Sequence, residues 1–136
     1  MQIQPYLFLD GKCEEAIEFY RSALGAEVTM MMRFKEAPPS DPGMCPPGAG
    51  EKIMHSAFQI GDTTVLASDG RCQGAPKFDG FALSLTVANE AEADRLFAAL
   101  AEGGQVQMPL AETFFSKRFG MVADRFGVSW MIYVER

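Results

Sequence analysis

The sequence contains the same helix-then-strand pattern twice, and this repeat constrains the fold more than any other feature. The two passages run from Glu14 to Val28 and from Glu90 to Val106. Their apolar positions correspond in pattern rather than in identity, and Ala16, for example, matches Ala93. A unit of roughly 65 residues that occurs twice indicates two fused halves, because a solenoid needs about three or more shorter copies.

The first half is predicted to contain one strand, one helix and three further strands. Gly25 ends a helix whose first turn carries Glu14 and Glu15, where acidic groups complement the helix dipole. Gly61 and Asp62 stand between two alternating apolar runs, which is a hairpin signal. The predicted elements are a strand over Ile3 to Leu9, a helix from Glu14, and strands over Glu27 to Phe34, Ile53 to Ile60 and Thr63 to Ser68.

The second half repeats this order of elements. Asn89 precedes a helix and Glu92 follows three residues later, which is the spacing of a capping box. Gly103 and Gly104 end that helix. The predicted strands of this half run over Phe81 to Val87, Gln105 to Met108, Gly120 to Asp124 and Ser129 to Val134.

These elements predict an α+β fold of two tandem βαβββ modules, which form a curved, open, mixed β-sheet half-barrel. The first module spans about residues 1–69, a connector with glycine and proline about 70–79, and the second module about 80–136. At 136 residues the chain has the length of one domain and can bury a core without disulfides or metals. A cleft enclosed by such a sheet is a natural small-molecule site.

Charge and cysteine content exclude several classes of protein. The net charge of -6, without a run of basic residues, argues against a nucleic-acid partner, since phosphate contacts need clustered Lys and Arg. Met1 to Asp10 has no basic leader, and its apolar stretch is too short for a membrane span. The cysteines, Cys13, Cys45 and Cys72, show no metal-binding or disulfide spacing. We therefore expect a cytoplasmic protein with free thiols and no membrane partner.

The segment from Glu36 to Gly50 carries five prolines and three glycines, which predicts a long loop rather than regular structure. Loops of this length in compact domains are usually lids, interface arms or disordered segments. The composition therefore leaves open an interaction module in which this segment grips a partner protein.

Two blocks of the sequence carry a resemblance to a known superfamily. The first comprises Pro5 to Gly11, Glu15 to Tyr20 and Leu24 to Glu27, and the second runs from Phe119 to Trp130 and ends in Asp-x-Phe-Gly-x-x-Trp. On these residues the chain resembles the vicinal oxygen chelate superfamily, which includes glyoxalase I, extradiol dioxygenases and the bleomycin and fosfomycin resistance proteins. Its closest similarity is to the PhnB-like branch.

The resemblance also indicates where a metal site would lie. In metal-using members, His, Gln or Glu side chains on inward-facing strands hold a divalent ion. The last ligand, typically a Glu, corresponds to Met131, and a first-strand ligand corresponds to Tyr6. The stretch Thr64 to Ala67, after Gly61, has no carboxylate either. We therefore predict neither the usual metal site nor a cofactor, which disfavours the lyase and dioxygenase activities that use a Lewis acid.

His55 is the only histidine, so one chain cannot supply the two imidazoles that His-based metal sites normally need. Histidine exchanges protons near neutral pH, which makes His55 the candidate catalytic residue, as acid, base or single ligand. A structural, hydrogen-bonded histidine is the alternative. Cys13 stands at a helix start, where the dipole favours a thiolate. Because Glu14 and Glu15 oppose that effect, an ordinary thiol is expected.

The candidate ligand-binding residues are mainly aromatic. An apolar wall of aromatic side chains suits a small-molecule cleft, although core packing is the alternative for each of them, as it is for Phe81. Lys117 and Arg118, in the predicted loop before the Gly120 strand, either attract an anionic group or form a solvated surface pair. Asp124 has the ordinary interpretation of a turn former. The predicted ligand-binding residues are Tyr6, Phe8, His55, Phe58, Ser84, Phe115 and Trp130.

Two further hypotheses of function remain open beside the interaction module. The leading one is a homodimeric small-molecule-binding protein that sequesters its ligand or performs metal-independent chemistry. The alternative is a metal-dependent lyase, dioxygenase or transferase with a non-standard site, in which His55 acts with carboxylates such as Asp69, Glu112 or Asp124. The sequence has no glycine-rich strand-to-helix turn followed by an acidic ribose reader, so a nucleotide-type cofactor fold is not predicted.

Overall fold

The computed structural model describes residues 1–37, 50–70 and 74–136. The chain divides into two compact units, Met1–Pro76 and Lys77–Arg136. Each unit contains one strand, one α-helix and three further strands, which confirms the predicted α+β fold of two βαβββ modules. Most of the predicted loop from Glu36 to Gly50 lies outside the described residues, as do Cys45 and Cys72.

Unit 1 is a four-stranded mixed sheet with one helix. The strand order is β1-β4-β3-β2, in which β1 runs parallel to β4 and the other pairs are antiparallel. The first strand is shorter than the predicted run from Ile3 to Leu9, because only three of its residues are paired with β4. Its elements are β1 (Tyr6–Phe8), α1 (Cys13–Leu24), β2 (Glu27–Arg33), a 3₁₀ turn (Phe34–Glu36), β3 (Ile53–Ile60) and β4 (Thr63–Ser68).

Unit 2 repeats this topology with the strand order β5-β8-β7-β6, β5 being parallel to β8. The prediction that Lys117 and Arg118 lie in a loop is wrong, because β7 begins at Ser116 and contains both. Arg118 is tolerated in the strand because its Nε lies 3.5 Å from an Asp94 carboxylate oxygen on the helix of this unit. The elements are β5 (Leu83–Val87), α2 (Glu90–Ala101), β6 (Gln105–Ala111), β7 (Ser116–Ala123) and β8 (Ser129–Glu135).

Local sequence explains where the helices begin and end. Gly25 adopts a left-handed conformation (φ 69°) after α1, and its N–H bonds the Arg21 carbonyl, as expected for a glycine C-cap. The predicted cap of α2 is confirmed, because the Asn89 side chain accepts a hydrogen bond of 2.8 Å from the Glu92 N–H. Within the described residues, none of the helices combines the length and the apolar character that spanning a bilayer requires.

The core of unit 1 lies between α1 and the sheet. The ring of Tyr20 in α1 stacks on Phe58 of β3 with centroids 5.9 Å apart, and Cys13 Sγ lies 3.8 Å from Ser56 Oγ. Phe58 and Ser56 therefore point toward the helix. Because strand side chains alternate between the two faces of a sheet, the neighbouring His55 and its face-mates point away from α1.

In unit 2, Gly120 identifies the face of the sheet that packs against α2. A Cβ atom at Gly120 would lie 2.9 Å from Cε2 of Phe97 in α2, so this position of β7 faces the helix. Gly120 is paired with Ile132 of β8, which is fully buried. By alternation, Phe119 and Met121 lie on the other face of the sheet.

Candidate functional site

The face of the unit 1 sheet opposite α1, called here the distal face of unit 1, carries most of the predicted site residues of this unit. Tyr6 is paired with Leu66 across β1 and β4, and His55 is paired with Met32 across β3 and β2. The large apolar and aromatic side chains of this face include Tyr6, Phe8, Met30, Met32, His55 and Leu66.

Tyr6, Phe8 and His55 form a compact aromatic cluster on this face. The Tyr6 and Phe8 ring centroids are 4.8 Å apart, and the Tyr6 and His55 rings stack at 5.6 Å with an interplanar angle of 29°. Tyr6 retains 37% and Phe8 55% of their accessible surface. The structure thus brings together three of the predicted ligand-binding residues, and two of them keep large apolar rings exposed.

A hydrogen bond of 2.9 Å joins the Tyr6 hydroxyl to Nδ1 of His55. A neutral imidazole has one donor and one acceptor nitrogen, so the bond has two forms. In one form the Tyr6 O–H donates to Nδ1 and Nε2 carries the ring proton. In the other, Nδ1–H donates to the Tyr6 oxygen, which leaves a lone pair on Nε2 and the Tyr6 hydroxyl hydrogen free to bond elsewhere. Either form presents one proton donor at the surface.

The corresponding face of unit 2, called here the distal face of unit 2, carries the other two exposed candidates. Ser84 is paired with Met131 across β5 and β8. Phe115 lies against this face, with its ring centroid 5.3 Å from Phe119 and 6.3 Å from Tyr133. The large or polar side chains of the face include Ser84, Thr86, Phe119, Met121, Met131 and Tyr133.

Phe58 and Trp130 occupy a different environment from the other candidates. Phe58 is fully buried against Tyr20, and Trp130 is 2% exposed. The indole N–H of Trp130 donates a hydrogen bond of 2.8 Å to Oδ2 of Asp124. Of the two roles that the sequence allows, the structure therefore favours core packing for both residues.

The carboxylates considered as companions of His55 in a metal site are engaged elsewhere. Asp69 accepts hydrogen bonds from the N–H groups of Cys13 and Ile53, and Asp124 accepts from Trp130 and from its own turn. Glu112 lies 2.7 Å from the Arg136 guanidinium. Within the described part of the chain, no group of three or more His, Cys, Asp and Glu side chains is arranged to hold a metal ion.

The positions at which the superfamily resemblance implies metal ligands do not fit a hard divalent ion. Tyr6 offers a phenol already bonded to His55, and its strand partner Leu66 has no donor atom. Met131 offers a thioether and its strand partner Ser84 a hydroxyl. Zn²⁺ and Mg²⁺ sites are built from imidazole, thiolate and carboxylate groups, so the donor set at these positions does not suit them.

Burial raises the pKa of the Cys13 thiol to about 12, and the charges of Asp69 and Glu14 act in the same direction. The hydrogen bond to Ser56 acts in the opposite direction but is outweighed. The thiol is fully buried between α1 and β3. Cys13 is therefore a packed thiol, as the sequence predicts, and burial raises its pKa more than the charges of Asp69 and Glu14 do.

The methionines of the distal face of unit 1 are functional candidates that sequence reasoning missed. Met30 and Met32 lie on the same side of the sheet as His55, through the register of β2 against β3. Unbranched thioether side chains adapt to ligands of different shape. The sequence shows three consecutive methionines, Met30 to Met32, in a predicted strand. Which of them lie on the same face as His55 is set by a bulge between Val28 and Met30, which the sequence does not reveal.

A family model described as 3-demethylubiquinone-9 3-methyltransferase matches residues 1–133. Protein YjdN of Escherichia coli (strain K12) is 36% identical over 142 residues, which cover 100% of this chain and 97% of YjdN. The solved structure of protein PA1353 from Pseudomonas aeruginosa is 43% identical with a TM-score of 0.86, covering 99% of this chain and 98% of that one.

A solved structure from Bacillus cereus, described as a putative 3-demethylubiquinone-9 3-methyltransferase, PhnB protein, is 30% identical with a TM-score of 0.82. The similarity covers 98% of this chain and 99% of that one. A glyoxylase/bleomycin resistance protein/dioxygenase domain from Frankia sp. EAN1pec shares the fold, with a TM-score of 0.73 at 15% identity over 100% of this chain and 98% of that one. This chain belongs to the PhnB-like family described as 3-demethylubiquinone-9 3-methyltransferase, which has the glyoxalase and bleomycin-resistance fold.

Proposed function

We propose that the protein binds a small, largely apolar molecule on the distal face of unit 1, and either sequesters it or transforms it without a metal. The observation that carries this proposal is the cluster of Tyr6, Phe8 and His55, in which exposed aromatic rings surround one hydrogen-bonding pair. Small-molecule sites typically combine apolar walls with a few polar groups that orient the ligand.

The surroundings of this cluster support the proposal. Met30 and Met32 extend the apolar surface beside His55, and Leu66 extends it beside Tyr6. Exposed apolar surface costs free energy in water, so a contiguous patch of this kind usually marks a binding site. The methyl transfer in the family description is not extended to this chain, because its sequence has no glycine-rich turn and ribose reader of a nucleotide-type cofactor fold.

A ligand screen tests the proposal directly. Thermal unfolding of the protein with EDTA present, measured against a panel of aromatic and aliphatic metabolites, is expected to yield ligands that raise the unfolding temperature. Calorimetric titration of the best ligand should then show weaker binding to Phe8→Ala. Phe114→Ala, which removes an exposed ring from the other unit, is the matched control and should bind like the parent. A folded protein that binds nothing in the panel contradicts the proposal.

We also propose that the functional protein is a homodimer. Edge strand β6 keeps Val106 and Met108 exposed, and apolar side chains on an edge strand favour association. Sedimentation equilibrium of the purified chain should give twice the monomer mass of 14.9 kDa. A monomer at all accessible concentrations overturns this part of the proposal and leaves the ligand site untouched.

A further inference from the structure

We propose that a network of ion pairs at one end of the unit 1 sheet acts as a clasp, which opens locally in acid or at high salt while the sheet stays folded. The clasp joins the end of β2 and the chain before β3 to the start of α1. This inference goes beyond the proposed function, because it requires no ligand. The residues of the clasp are Arg33, Lys35, Glu14 and Glu51.

Arg33, the last residue of β2, is the centre of the clasp. Its Nη1 and Nη2 groups donate hydrogen bonds of 3.0 and 2.6 Å to the two carboxylate oxygens of Glu14 in α1. Nη1 also donates a bond of 2.6 Å to the Glu51 carbonyl. A guanidinium that binds a carboxylate through two bonds is fixed in orientation as well as in distance. Arg33 thus joins the helix and the chain before β3 to one strand end.

A second ion pair and two backbone hydrogen bonds close the same end of the β2–β3 pair. Lys35 Nζ lies 2.6 Å from Oε1 of Glu51. The Lys35 N–H donates to the Gly50 carbonyl at 3.0 Å. The Phe34 N–H donates to the Lys52 carbonyl at the same distance of 3.0 Å. Both backbone bonds lie beside the ion pairs, so their amides report whether the clasp is closed.

Charge rather than apolar burial holds this end of the sheet. The 3₁₀ turn that follows β2 consists of one half-buried and two exposed residues. Glu14 and Glu51 are exposed, whereas the Arg33 side chain is only 23% exposed. Local openings occur where few apolar contacts and exposed hydrogen bonds hold the chain, and salt screens exposed charges. The clasp should therefore open before the sheet does.

Protonation of the two glutamates removes the negative charge of the clasp. The hydrogen bond from Arg33 lowers the pKa of Glu14 below its ordinary value of 4.5, and the bond from Lys35 lowers the pKa of Glu51. The ion pairs therefore stabilise the closed clasp fully above pH 4.5, and this contribution is lost as the pH falls through the lowered pKa values.

The charged groups around the clasp act both with it and against it. Lys52 also lowers the pKa of Glu14, whereas the charge of Glu14 raises the pKa of Glu51. Once the glutamates are protonated, Arg33, Lys35 and Lys52 stay charged and repel one another. Further charged side chains around the clasp, in the described part of the chain, are Lys12, Glu15 and Glu18 at α1, Glu36 in the 3₁₀ turn and the buried Asp69 after β4.

Amide hydrogen exchange measured by NMR tests the clasp. At neutral pH and low salt, the protection factors of the Phe34 and Lys35 amides should be about tenfold lower in Arg33→Gln than in the parent, as expected for a partly exposed charge-assisted bond. Arg33→Lys should restore only part of the protection, because an ammonium lacks the two-pronged geometry. Arg136→Gln, which removes an ion pair of 2.7 Å to Glu112 in unit 2, is the matched control and should leave both amides unchanged.

Salt and acid test the electrostatic origin of the protection. Sodium chloride at about 0.5 M should lower the protection of the two amides severalfold in the parent and have little effect in Arg33→Gln. As the pH falls from about 6 to about 3, their protection, corrected for the intrinsic exchange rate, should fall in the parent as well. Amides of β3 and β4 should keep their protection under both conditions.

Carbon NMR titration of the glutamate carboxyl groups gives a second measurement. The pKa of Glu14 should rise toward 4.5 in Arg33→Gln and stay lowered in Arg136→Gln. If Arg33→Gln changes neither this pKa nor the protection of the two amides, the clasp is excluded. Loss of protection in β3 and β4 together with that of the two amides would show that the whole sheet opens, and would overturn the local device. Circular dichroism verifies folding, and Glu51→Gln, an exposed change that removes the pair with Lys35, repeats the exchange test if Arg33→Gln does not fold.

Discussion

Asp124 illustrates how much of a residue's role depends on contacts that composition does not reveal. Its Oδ1 accepts the N–H groups of Phe126 and Val128, and its Oδ2 accepts the indole N–H of Trp130. The sequence predicts the turn-forming half of this role, because aspartate commonly bonds the backbone two residues on. The bond to the Trp130 indole depends on the register of β7 and β8 and was not foreseen.

Replacement of Asp124 by asparagine tests the hydrogen bond between Asp124 and the Trp130 indole. The Asn amide can keep one acceptor for the turn, but it presents an N–H group to the buried indole N–H of Trp130. We expect the free energy of unfolding to fall by about 2 kcal/mol, the typical cost of an unsatisfied buried donor. Urea unfolding followed by circular dichroism measures it. Asp62→Asn, in the exposed turn of unit 1, should change it little, and equal losses in both variants contradict the argument.

Cys13 provides a second residue-scale prediction. Because burial raises the pKa of its thiol to about 12, from an ordinary value of 9.0, the folded protein keeps the proton after the unfolded chain has lost it. The thiol's contribution to stability is therefore complete below pH 9.0 and declines as the pH rises toward about 12.

Alkylation kinetics measure the same property. In a Cys45→Ser, Cys72→Ser variant, iodoacetamide at pH near 8 should modify Cys13 at least about a hundredfold more slowly in buffer than in urea, since the thiolate is the reactive species. The urea sample is the control for intrinsic reactivity. Similar rates in both conditions would show that Cys13 is exposed and ionised, in conflict with its burial.

At the scale of elements, the two helices begin by different means. Helix α2 has a local cap, Asn89, which the sequence identifies through its position and the spacing to Glu92. Helix α1 follows Lys12, whose side chain makes no capping bond, and the N–H of Cys13 instead donates to Oδ1 of Asp69. A capping partner that is distant in sequence leaves no local pattern, so the sequence could predict α1 but not what anchors its start.

This difference predicts unequal costs of mutation. Asp69→Ala leaves the buried N–H groups of Cys13 and Ile53 without acceptors and should lower the free energy of unfolding by about 3 kcal/mol. Asn89→Ala removes one exposed cap and should cost about 1 kcal/mol. Asn89→Asp, which preserves a cap, should restore stability. Equal costs for Asp69→Ala and Asn89→Ala would mean that Asp69 does not anchor α1.

The beginning of strand β7 shows another limit of prediction for an element. The apolar pattern before Gly120 is broken by Lys117 and Arg118, which favoured a loop. In the structure Arg118 extends toward Asp94 on α2, and that ion pair allows a charged residue on the helix side of the strand. Periodicity predicts a strand where apolar and polar residues alternate along the chain. A charged residue that is paired with a distant residue, as Arg118 is with Asp94, breaks this alternation without ending the strand.

At the scale of the molecule, the repeat was the feature that sequence could predict best. Two matching passages led to two units with the same order of elements, because each element's type follows from local periodicity. The boundary of about residue 69 for the first module stays a prediction, and compactness places the division after Pro76. The sequence could not predict on which face of its sheet each candidate ligand-binding residue lies. The structure places Phe58 in the core and His55 beside Tyr6 on the opposite face.

The last prediction concerns metal dependence and draws on both units. In unit 1 the expected first-strand ligand position carries Tyr6, paired with Leu66, and in unit 2 the expected last ligand position carries Met131, paired with Ser84. The buried carboxylates of the two units are bonded to backbone and indole N–H groups, and recruiting them as ligands would leave those donors unsatisfied. Ligand binding should therefore persist when metals are removed.

Dialysis against EDTA measures this directly. The affinity of the best ligand from the screen should change by less than about twofold, well under the 1.4 kcal/mol that a tenfold change represents. Elemental analysis of natively purified protein provides the control, with less than stoichiometric zinc, iron, manganese or nickel expected. Stoichiometric metal, lost together with ligand affinity in EDTA and restored by one ion, would overturn the metal-independent function. His55→Gln would then identify the site, since loss of bound metal in that variant would assign the only imidazole of the chain as its ligand.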